Sequence, residues 1–185
     1  MATKIKSNVE IIPPKNIFAG NSDAPVTLTM FGDYEDEACA QANEVVKILM
    51  IEFEGKIRFS FRHCPQTQIH QKAMKAAEAS LAAGQEGRFW DMHNLLFQRR
   101  RQLGTISLQG YAKEIGITNK RFLDELVNSK YSWHIRGDQI QAWEMGIRSI
   151  PVFYINGLRI ETAPTYENLK KAIQASTKKS QKKTA

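Results

Sequence analysis

The residues with the clearest chemical potential stand at the start of a predicted helix, where Asp36-Glu37-Ala38-Cys39 follows an apolar strand. The strand is indicated by alternating residues from Val26 to Phe31, and Gly32 breaks it. Backbone N–H groups point outward at a helix N-terminus and favour negative charge, so a cysteine in the first turn forms a thiolate readily. This strand–turn–helix unit is therefore the predicted location of the reactive residues.

Two features of the same stretch oppose a reactive thiol. Four acids crowd the turn and disfavour a further negative charge: Asp33, Glu35, Asp36 and Glu37. Cys39 also falls on the apolar stripe of the helix with Ala42 and Val46, which is typical of a buried and inert thiol. Two interpretations of Cys39 therefore stay open, a buried structural residue and a reactive or ligand-facing thiol.

The elements around this unit follow from the hydrophobic periodicity. The first helix is predicted over 37–54 and the next strand over 56–62, where apolar and polar residues alternate. A strand, a helix and a strand with short links form a right-handed βαβ unit with parallel strands. The pattern from about 69 to 146 is helical, and four of its aromatic residues are expected in the core: Phe89, Trp90, Trp133 and Trp143.

Two short strands and a helix complete the pattern. Asn156-Gly157 supplies the positive φ angles of a two-residue turn, so an antiparallel hairpin is predicted over 152–160. A last helix is predicted over 165–175, and a short strand near the N-terminus over Val9–Ile12. The resulting order is βαβ, a run of helices, and ββα.

The composition is that of an ordinary globular chain, with 185 residues of which 42% are hydrophobic and 24% charged. Six lysines after Glu167 supply most of the net charge of +7, which indicates a solvated tail and neither nucleic acid nor membrane as a partner. No apolar run approaches the ~20 residues of a membrane span, no secretory signal is recognised, and two cysteines are too few for a disulfide framework. A cytoplasmic location is therefore expected.

Four stretches carry a resemblance to a known family: GNSDAPVTLTMFGDYE, FRHCP with AMKAAEASLAAG behind it, GRFWDMHNLLF, and GIRSIPVFYING. In this order they resemble the DsbA-like thiol–disulfide oxidoreductases, over about residues 20–175. The resemblance implies an α/β, thioredoxin-like fold with a βαβ–ββα core and an all-helical insertion between its halves. It places the core at 20–68 and 147–176 and the insertion at 69–146, between an N-terminal extension (1–19) and a basic disordered tail (177–185).

The resemblance also implies a mechanism, from which this sequence departs. In the family a Cys-x-x-Cys pair opens the first core helix, and its exposed first cysteine attacks a substrate disulfide. Aligning Cys39 with the second cysteine puts Asp36 at the position of the nucleophile. A carboxylate neither attacks sulfur nor forms a disulfide, so this motif excludes ordinary dithiol exchange. Asp36 can instead cap the helix, which is worth roughly 0.5–2 kcal/mol.

Ile150-Pro151 forms the other half of the site that the resemblance implies. The proline is expected to be cis, and the backbone of Ile150 is expected to pair with an extended peptide. Cys64 stands at a strand exit, on the side where α/β sheets bind ligands. It either packs in place of an aromatic residue or forms a relocated pair with Cys39, which requires Cα atoms within about 7 Å.

The function stays open among several alternatives. The leading one is a residual single-thiol redox role or peptide binding at the cis-proline cleft, with a protein or peptide as the partner. A non-catalytic binding or regulatory module is the second. Glutathione-linked transfer is the third, although it needs a hydroxyl or thiol at position 36. No cofactor and no metal is expected, because His63, Cys64 and His70 match no standard zinc spacing.

Overall fold

The computed structural model describes residues 16–184, of which 179–184 are described by their backbone alone. The strand predicted over Val9–Ile12, and most of the predicted N-terminal extension, lie outside the described residues. The strands are β1 (Ala19–Gly20), β2 (Val26–Gly32), β3 (Ile57–His63), β4 (Val152–Ile155) and β5 (Leu158–Arg159). The helices are α1 (Glu37–Glu52), α2 (Ala73–Gln85), α3 (Phe89–Gln98), α4 (Thr105–Glu114), α5 (Lys120–Val127), α6 (Ser132–Glu144) and α7 (Tyr166–Thr184).

The strands form one sheet in the order β1-β3-β2-β4-β5. β2 and β3 run parallel with Gly32 opposite His63, so both strands end at the same edge of the sheet. β4 is antiparallel to β2 and forms the predicted hairpin with β5 around Asn156, whose φ of 49° is positive. The α/β, thioredoxin-like fold is thereby confirmed. β1 was not predicted, because a strand of two residues leaves no alternation to recognise.

Packing on both faces of the sheet follows the alternation along β4. Phe153 faces the main core, which includes residues of α1, α7 and the helices between β3 and β4. Val152 and Tyr154 face the opposite side, where they pack with Phe31 of β2 and Ala142 of α6. Helix α6 therefore returns to the sheet after the other inserted helices and leads the chain into the loop before β4.

Five helices, α2 to α6, connect β3 to β4, as the resemblance implies for the insertion, while the domain boundaries themselves stay predictions. The expected core position is correct for Phe89, which is 3% exposed. It is wrong for Trp133 and Trp143 of α6, which are 77% and 66% exposed. The buried face of α6 instead carries Ile135 and Ala142, so the two indole rings lie on the outer side of the helix.

The C-terminal helix is longer than the sequence pattern indicated. Its predicted end lies at residue 175, with a disordered tail over 177–185, whereas α7 continues to Thr184. The added residues include neither Gly nor Pro, so nothing in them breaks a helix. Leu169 and Ile173 anchor the first half of α7 in the core. None of the described helices has both the length and the apolar character needed to cross a membrane.

Candidate functional site

Helix α1 begins with the motif that contains the two candidate residues Asp36 and Cys39. Asp36 is the N-cap, and its carboxylate accepts a hydrogen bond from the backbone N–H of Cys39 at 2.7 Å. Its own carbonyl accepts from the backbone N–H of Ala40 at 3.1 Å, which starts the helical ladder. Asp36 is therefore a structural part of the helix start, since it pairs one of the N–H groups that a helix leaves unsatisfied there.

The Cys39 side chain is fully buried in the main core, with an exposed fraction of 0%. Burial is the main reason why the pKa of the Cys39 thiol is raised well above its ordinary value. A backbone hydrogen bond with Asp33 opposes this rise, and the carboxylates of Asp36 and Asp33 add to it. The thiol is therefore protonated at neutral pH and has no solvent access, as the buried interpretation of Cys39 requires.

A second carboxylate, Asp33, organises the turn between β2 and α1 and is only 2% exposed. Its Oδ1 accepts from the backbone N–H of Glu35 at 2.8 Å. Its Oδ2 accepts from the backbone N–H of Gln66 at 2.9 Å and lies 2.7 Å from His70 Nδ1. Glu35 in turn accepts from the backbone N–H of Lys72, immediately before α2, at 2.8 Å. The acidic turn thus holds the loop that follows β3.

That loop and the loop before β4 enclose a groove of about 390 Å³. Segments 64–69 and 147–150 line it, together with Gln139 of α6, whose side chain donates to the carbonyl of Pro65 at 2.7 Å. The peptide bond between Ile150 and Pro151, at the end of this lining, is cis. The groove is therefore lined by Ile150, the residue at which the resemblance implies peptide binding.

Cys64 lines this groove, whereas Cys39 and Asp36 do not. The Cys64 side chain is half-buried, and burial, followed by the negative charges of Asp33 and Asp138, raises the pKa of its thiol to about 11. The two cysteines are both free thiols. The structure thus brings Cys64 together with Ile150 in one groove and joins Asp36 to Cys39 at the helix start.

Asp138 of α6 fixes one wall of the groove and was not recognised from the sequence. It is 2% exposed; its carboxylate accepts from Arg62 Nε and from the backbone N–H of His63, each at 2.8 Å. Burial by itself would raise the pKa of Asp138, but the hydrogen bonds with His63 and Arg62 outweigh it and hold the pKa below its usual range. An isolated Asp in a polar helix gives no sequence signal of such a partner.

Three of the four histidines form side-chain hydrogen bonds within the protein. His63 Nε2 lies 2.9 Å from Ser80 Oγ, and His70 pairs with Asp33 as described. His93 lies between Tyr34 and Asn43. Among the described residues, no group of three or more His, Cys, Asp or Glu side chains is arranged to hold a metal ion.

Comparison with known proteins places this arrangement in a family. A family model described as Thioredoxin matches residues 13–175, which is most of the chain. The chain belongs to the thioredoxin family. Its fold, a thioredoxin core with five helices inserted between β3 and β4, is shared by solved structures that include α-DsbA proteins.

Three solved structures illustrate the relationship. BdbD from Bacillus subtilis, in its oxidised form, superposes with a TM-score of 0.80 at 26% identity, over 90% of this chain and 93% of BdbD. A thioredoxin-like oxidoreductase from Silicibacter pomeroyi gives 0.77 at 22% identity, over 88% and 92%. The α-DsbA1 protein of Wolbachia pipientis gives 0.76 at 17% identity, over 91% and 94%. At 22% and 17% identity, the last two structures show the fold alone.

The curated relatives of this chain are much longer than the chain itself. A protein named Na(+)/H(+) antiporter NhaA 1, from Salinispora arenicola, is 34% identical over 165 residues, which cover 89% of this chain and 25% of that protein. Na(+)/H(+) antiporter NhaA 3 from Salinispora tropica is 31% identical over 167 residues, covering 90% and 26%. The chain therefore spans about a quarter of the length of these relatives.

Proposed function

We propose that this DsbA-like protein binds an extended segment of a partner protein in the groove beside Ile150 and does not carry out ordinary dithiol exchange. The observation that carries the proposal is the separation of the two halves of the site. The groove lined by 64–69 and 147–150 is open, whereas the thiol at the start of α1 is 0% exposed. A bound segment in this groove would meet Cys64 and not Cys39.

Asp36 explains why binding would remain without the family reaction. It stands where the DsbA-like resemblance puts the attacking cysteine, and its carboxylate is too weak a nucleophile toward sulfur to displace a thiolate from a disulfide and has no sulfur with which to form a new S–S bond. It also performs a structural task, because it accepts the hydrogen bond from Cys39 N. The helix start therefore supports the fold while the first sulfur of the reaction is missing.

The lining of the groove indicates what kind of segment it accepts. Apart from the Cys64 thiol, the side chains around it are amides, hydroxyls and aliphatic groups, and Arg148 is the charged residue among them. Within the described part of the chain, no backbone hydrogen bond engages Ile150, so its N–H and C=O remain for an incoming strand. We therefore favour a segment in extended conformation with polar or acidic side chains near Arg148.

Binding can be tested without thiol chemistry by using a permanently unfolded probe, reduced and carboxymethylated α-lactalbumin carrying a fluorescent label. Anisotropy should show saturable binding to the wild-type protein. Ser149→Trp, which fills the groove, should weaken binding about tenfold or more, since it removes the contact area that drives association. Ser22→Trp, at an exposed loop before β2, is the matched control and should bind like the wild type. No saturable binding, or equal loss in both variants, contradicts the proposal.

The absence of dithiol exchange has a separate test. The wild-type protein should not accelerate insulin reduction by dithiothreitol, because position 36 has no sulfur. Asp36→Cys should gain this activity, while Asp36→Ser, which keeps a small capping side chain, should not. Measurable turnover by the wild type would contradict the proposal, and so would activity in Asp36→Ser equal to that of Asp36→Cys.

Single-thiol chemistry at Cys64 is a second candidate, favoured by the position of this side chain in the groove. The Cys64 thiolate would attack one sulfur of a partner disulfide, form a mixed disulfide and release the other sulfur as a thiolate. With a pKa of about 11, only roughly one Cys64 in ten thousand is a thiolate at pH 7, so this reaction should be slow. Mass spectrometry after incubation with glutathione disulfide should show one adduct at pH 9 that disappears in Cys64→Ala.

Three sequence-based alternatives stay predictions with their own tests. A Cys39–Cys64 bridge would appear in non-reducing peptide mapping of oxidised protein. Glutathione-linked transfer would appear as retention on a glutathione column, although Asp36 offers neither hydroxyl nor thiol. A cytoplasmic location would appear by cell fractionation with an antibody against the protein.

A further inference from the structure

The two loops that line the groove beside Ile150 differ in their electrostatics. In the loop after β3, the negative charges of Asp33 and Asp138 contribute to the raised pKa of the Cys64 thiol. In the loop before β4, Arg148 is the charged residue of the lining, and its guanidinium is positive at any ordinary pH. A negative group of a bound segment is therefore favoured beside Arg148 and disfavoured beside Cys64.

Three contacts hold the Arg148 side chain where this loop leaves α6. Its Nη1 donates to the carbonyl of Trp143, in the last turn of α6, at 2.8 Å, and to the carbonyl of Ile147 at 3.1 Å. Its guanidinium also lies over the Trp143 ring, with Cζ 5.0 Å from the ring centroid. A side chain held in this way loses less conformational freedom on binding a ligand than a freely moving arginine does.

These contacts leave one edge of the guanidinium unused. Among the residues that the structure describes, none accepts a hydrogen bond from Arg148 Nε or Nη2, and no carboxylate pairs with this residue. The Nε–H and one Nη2–H point the same way, and arginine uses this pair of donors to bind a carboxylate. Arg62 directs the same two nitrogens toward Asp138 in this protein. Since Arg148 is exposed and lines the groove, its free edge can receive a carboxylate from a bound segment.

We propose that Arg148 selects the partner segment by binding one of its carboxylates through Nε and Nη2. The inference rests on the groove binding proposed above and specifies the chemical class of the segment. The segment carries an acidic side chain, or a free C-terminal carboxylate, beside the loop before β4. A neutral amide at the same place offers one acceptor oxygen and no charge, so it interacts more weakly with the two N–H groups.

The test uses short peptides in which threonine and glutamine alternate. The alternation lets a peptide slide by two residues without changing its contacts, so a single central glutamate can reach Arg148. The three probes are the glutamine peptide with both ends blocked, the blocked peptide with one central glutamate, and the glutamine peptide with a free C-terminal carboxylate. They are titrated into the ¹⁵N-labelled full chain at low salt, where exposed charges are least screened. The backbone amide signals of Ser149 and Ile150 give the affinities.

A peptide with a carboxylate should bind about three- to tenfold more tightly than the blocked glutamine peptide, as an exposed charge pair with two hydrogen bonds implies. An advantage of the glutamate peptide assigns the site to acidic side chains, and an advantage of the free C-terminus assigns it to chain ends. The Trp143 indole signal should shift on binding, while that of Trp133, on the same helix and 77% exposed, should not. Equal affinities of the three peptides, or equal shifts of the two indole signals, overturn the inference.

Variants separate the paired N–H groups from positive charge alone. Arg148→Gln should remove the advantage of the carboxylate, and Arg148→Lys, which keeps the charge without the planar group, should reduce it to about twofold or less. Arg136→Gln removes an exposed arginine of α6 that does not line the groove, and it should keep the full advantage. Each advantage is a ratio of two affinities for one variant, so a change in the folded fraction does not alter it. Equal losses in Arg148→Gln and Arg136→Gln overturn the inference, and the indole signals of the wild type decide if an Arg148 variant does not fold.

Failure of this inference is distinguishable from failure of the groove binding itself. If the blocked glutamine peptide and the unfolded probe described above bind saturably but no carboxylate gains affinity, Arg148 does not select the segment and the groove binding stands. If neither the peptides nor the unfolded probe binds, both proposals are wrong.

Discussion

Cys39 and Cys64 lie at the same edge of the sheet, one after β2 and the other after β3, and the negative charge of Asp33 raises the pKa of both thiols. They differ in access to solvent, since Cys39 is fully buried and Cys64 lines an open groove. Burial is the largest cause of the raised pKa in each case, and it is more severe at Cys39. Exposure, and not the shared carboxylate, therefore decides which thiol a partner can reach.

A different carboxylate supports each of the two cysteine positions. Asp36 caps the helix that carries Cys39. Asp138 binds Arg62 and the backbone of His63, and so fixes the strand end from which Cys64 projects. The buried cysteine thus depends on a local interaction within four residues, and the groove cysteine depends on a contact between β3 and the distant helix α6.

The contrast in thiol access should give the largest effect. Cys64→Ala leaves Cys39 as the thiol, and Cys39→Ala leaves Cys64. We expect iodoacetamide at pH 8.5 to label the Cys39 thiol at least about a thousandfold more slowly than the same thiol in denaturant, because labelling requires local unfolding. The Cys64 thiol should be labelled without such an opening. Mass spectrometry measures both rates. Comparable labelling of the two native variants would show that Cys39 and Cys64 do not differ in solvent access.

Loss of the Asp138 contact should give the next largest effect. Asp138→Asn breaks a buried charge interaction and should lower the free energy of unfolding at pH 7 by about 3 kcal/mol. The folded-state pKa of Asp138 is depressed, so its contribution is present above the unfolded-state pKa of about 3.9 and is lost as the pH falls below it. Urea unfolding at pH 7 and pH 3 should therefore show a difference that shrinks at pH 3. Asp124→Asn, at an exposed position of α5, is the control and should change little.

Removal of the Asp36 cap should have a smaller effect. Asp36→Ala should lower the free energy of unfolding by about 1 kcal/mol, because the N–H of Cys39 loses its partner. Asn119→Ala provides a comparison at the start of α5, where the capping distance to Phe122 N is 3.2 Å instead of 2.7 Å. Urea unfolding should rank Asp36→Ala as the more destabilising variant. The reverse order would show that Asp36 is not a structural cap.

The smallest expected effect is that of removing the negative charge of Asp33, which raises the pKa of both thiols. Asp33→Asn removes a negative charge near Cys64, so the pKa of Cys64 should fall from about 11 toward the ordinary cysteine value of about 8.5. The pH dependence of Cys64 alkylation in the Cys39→Ala background measures this change. Asp36→Asn is the matched control, because Asp36 is not among the charges that raise the pKa of Cys64. An unchanged profile for Asp33→Asn would assign the raised pKa to burial and Asp138 alone.

The fold could be predicted from the sequence because its elements leave strong periodic patterns. The alternation in β2 and β3, the stripe of α1 and the turn at Asn156 all depend on neighbours in the sequence. The tryptophans of α6 show where prediction from such patterns fails. When apolar residues lie on more than one side of a helix, the sequence pattern does not identify the side that packs against the rest of the protein. The buried side is the one that carries Ala142, because Ala142 packs against Phe31 and Tyr154, which are far away in the sequence.

The candidate site was predictable only in part, for a similar reason. The acidic turn and the helix start of Cys39 are local, so Asp36 was recognised as a cap. The roles of Asp33 and Asp138 depend on partners more than thirty residues away, as with the hydrogen bond between Asp33 and Gln66 N. A single sequence does not show these pairs, because it does not distinguish a buried carboxylate from a solvated one.

The exposed indole rings of α6 also determine what the intrinsic fluorescence of this protein reports. The chain has three tryptophans, and Trp133 and Trp143 already face water in the native state. Their emission should therefore change little when the chain denatures, so intrinsic fluorescence would report mainly the surroundings of Trp90. Circular dichroism of the amide bonds would follow the loss of structure more faithfully.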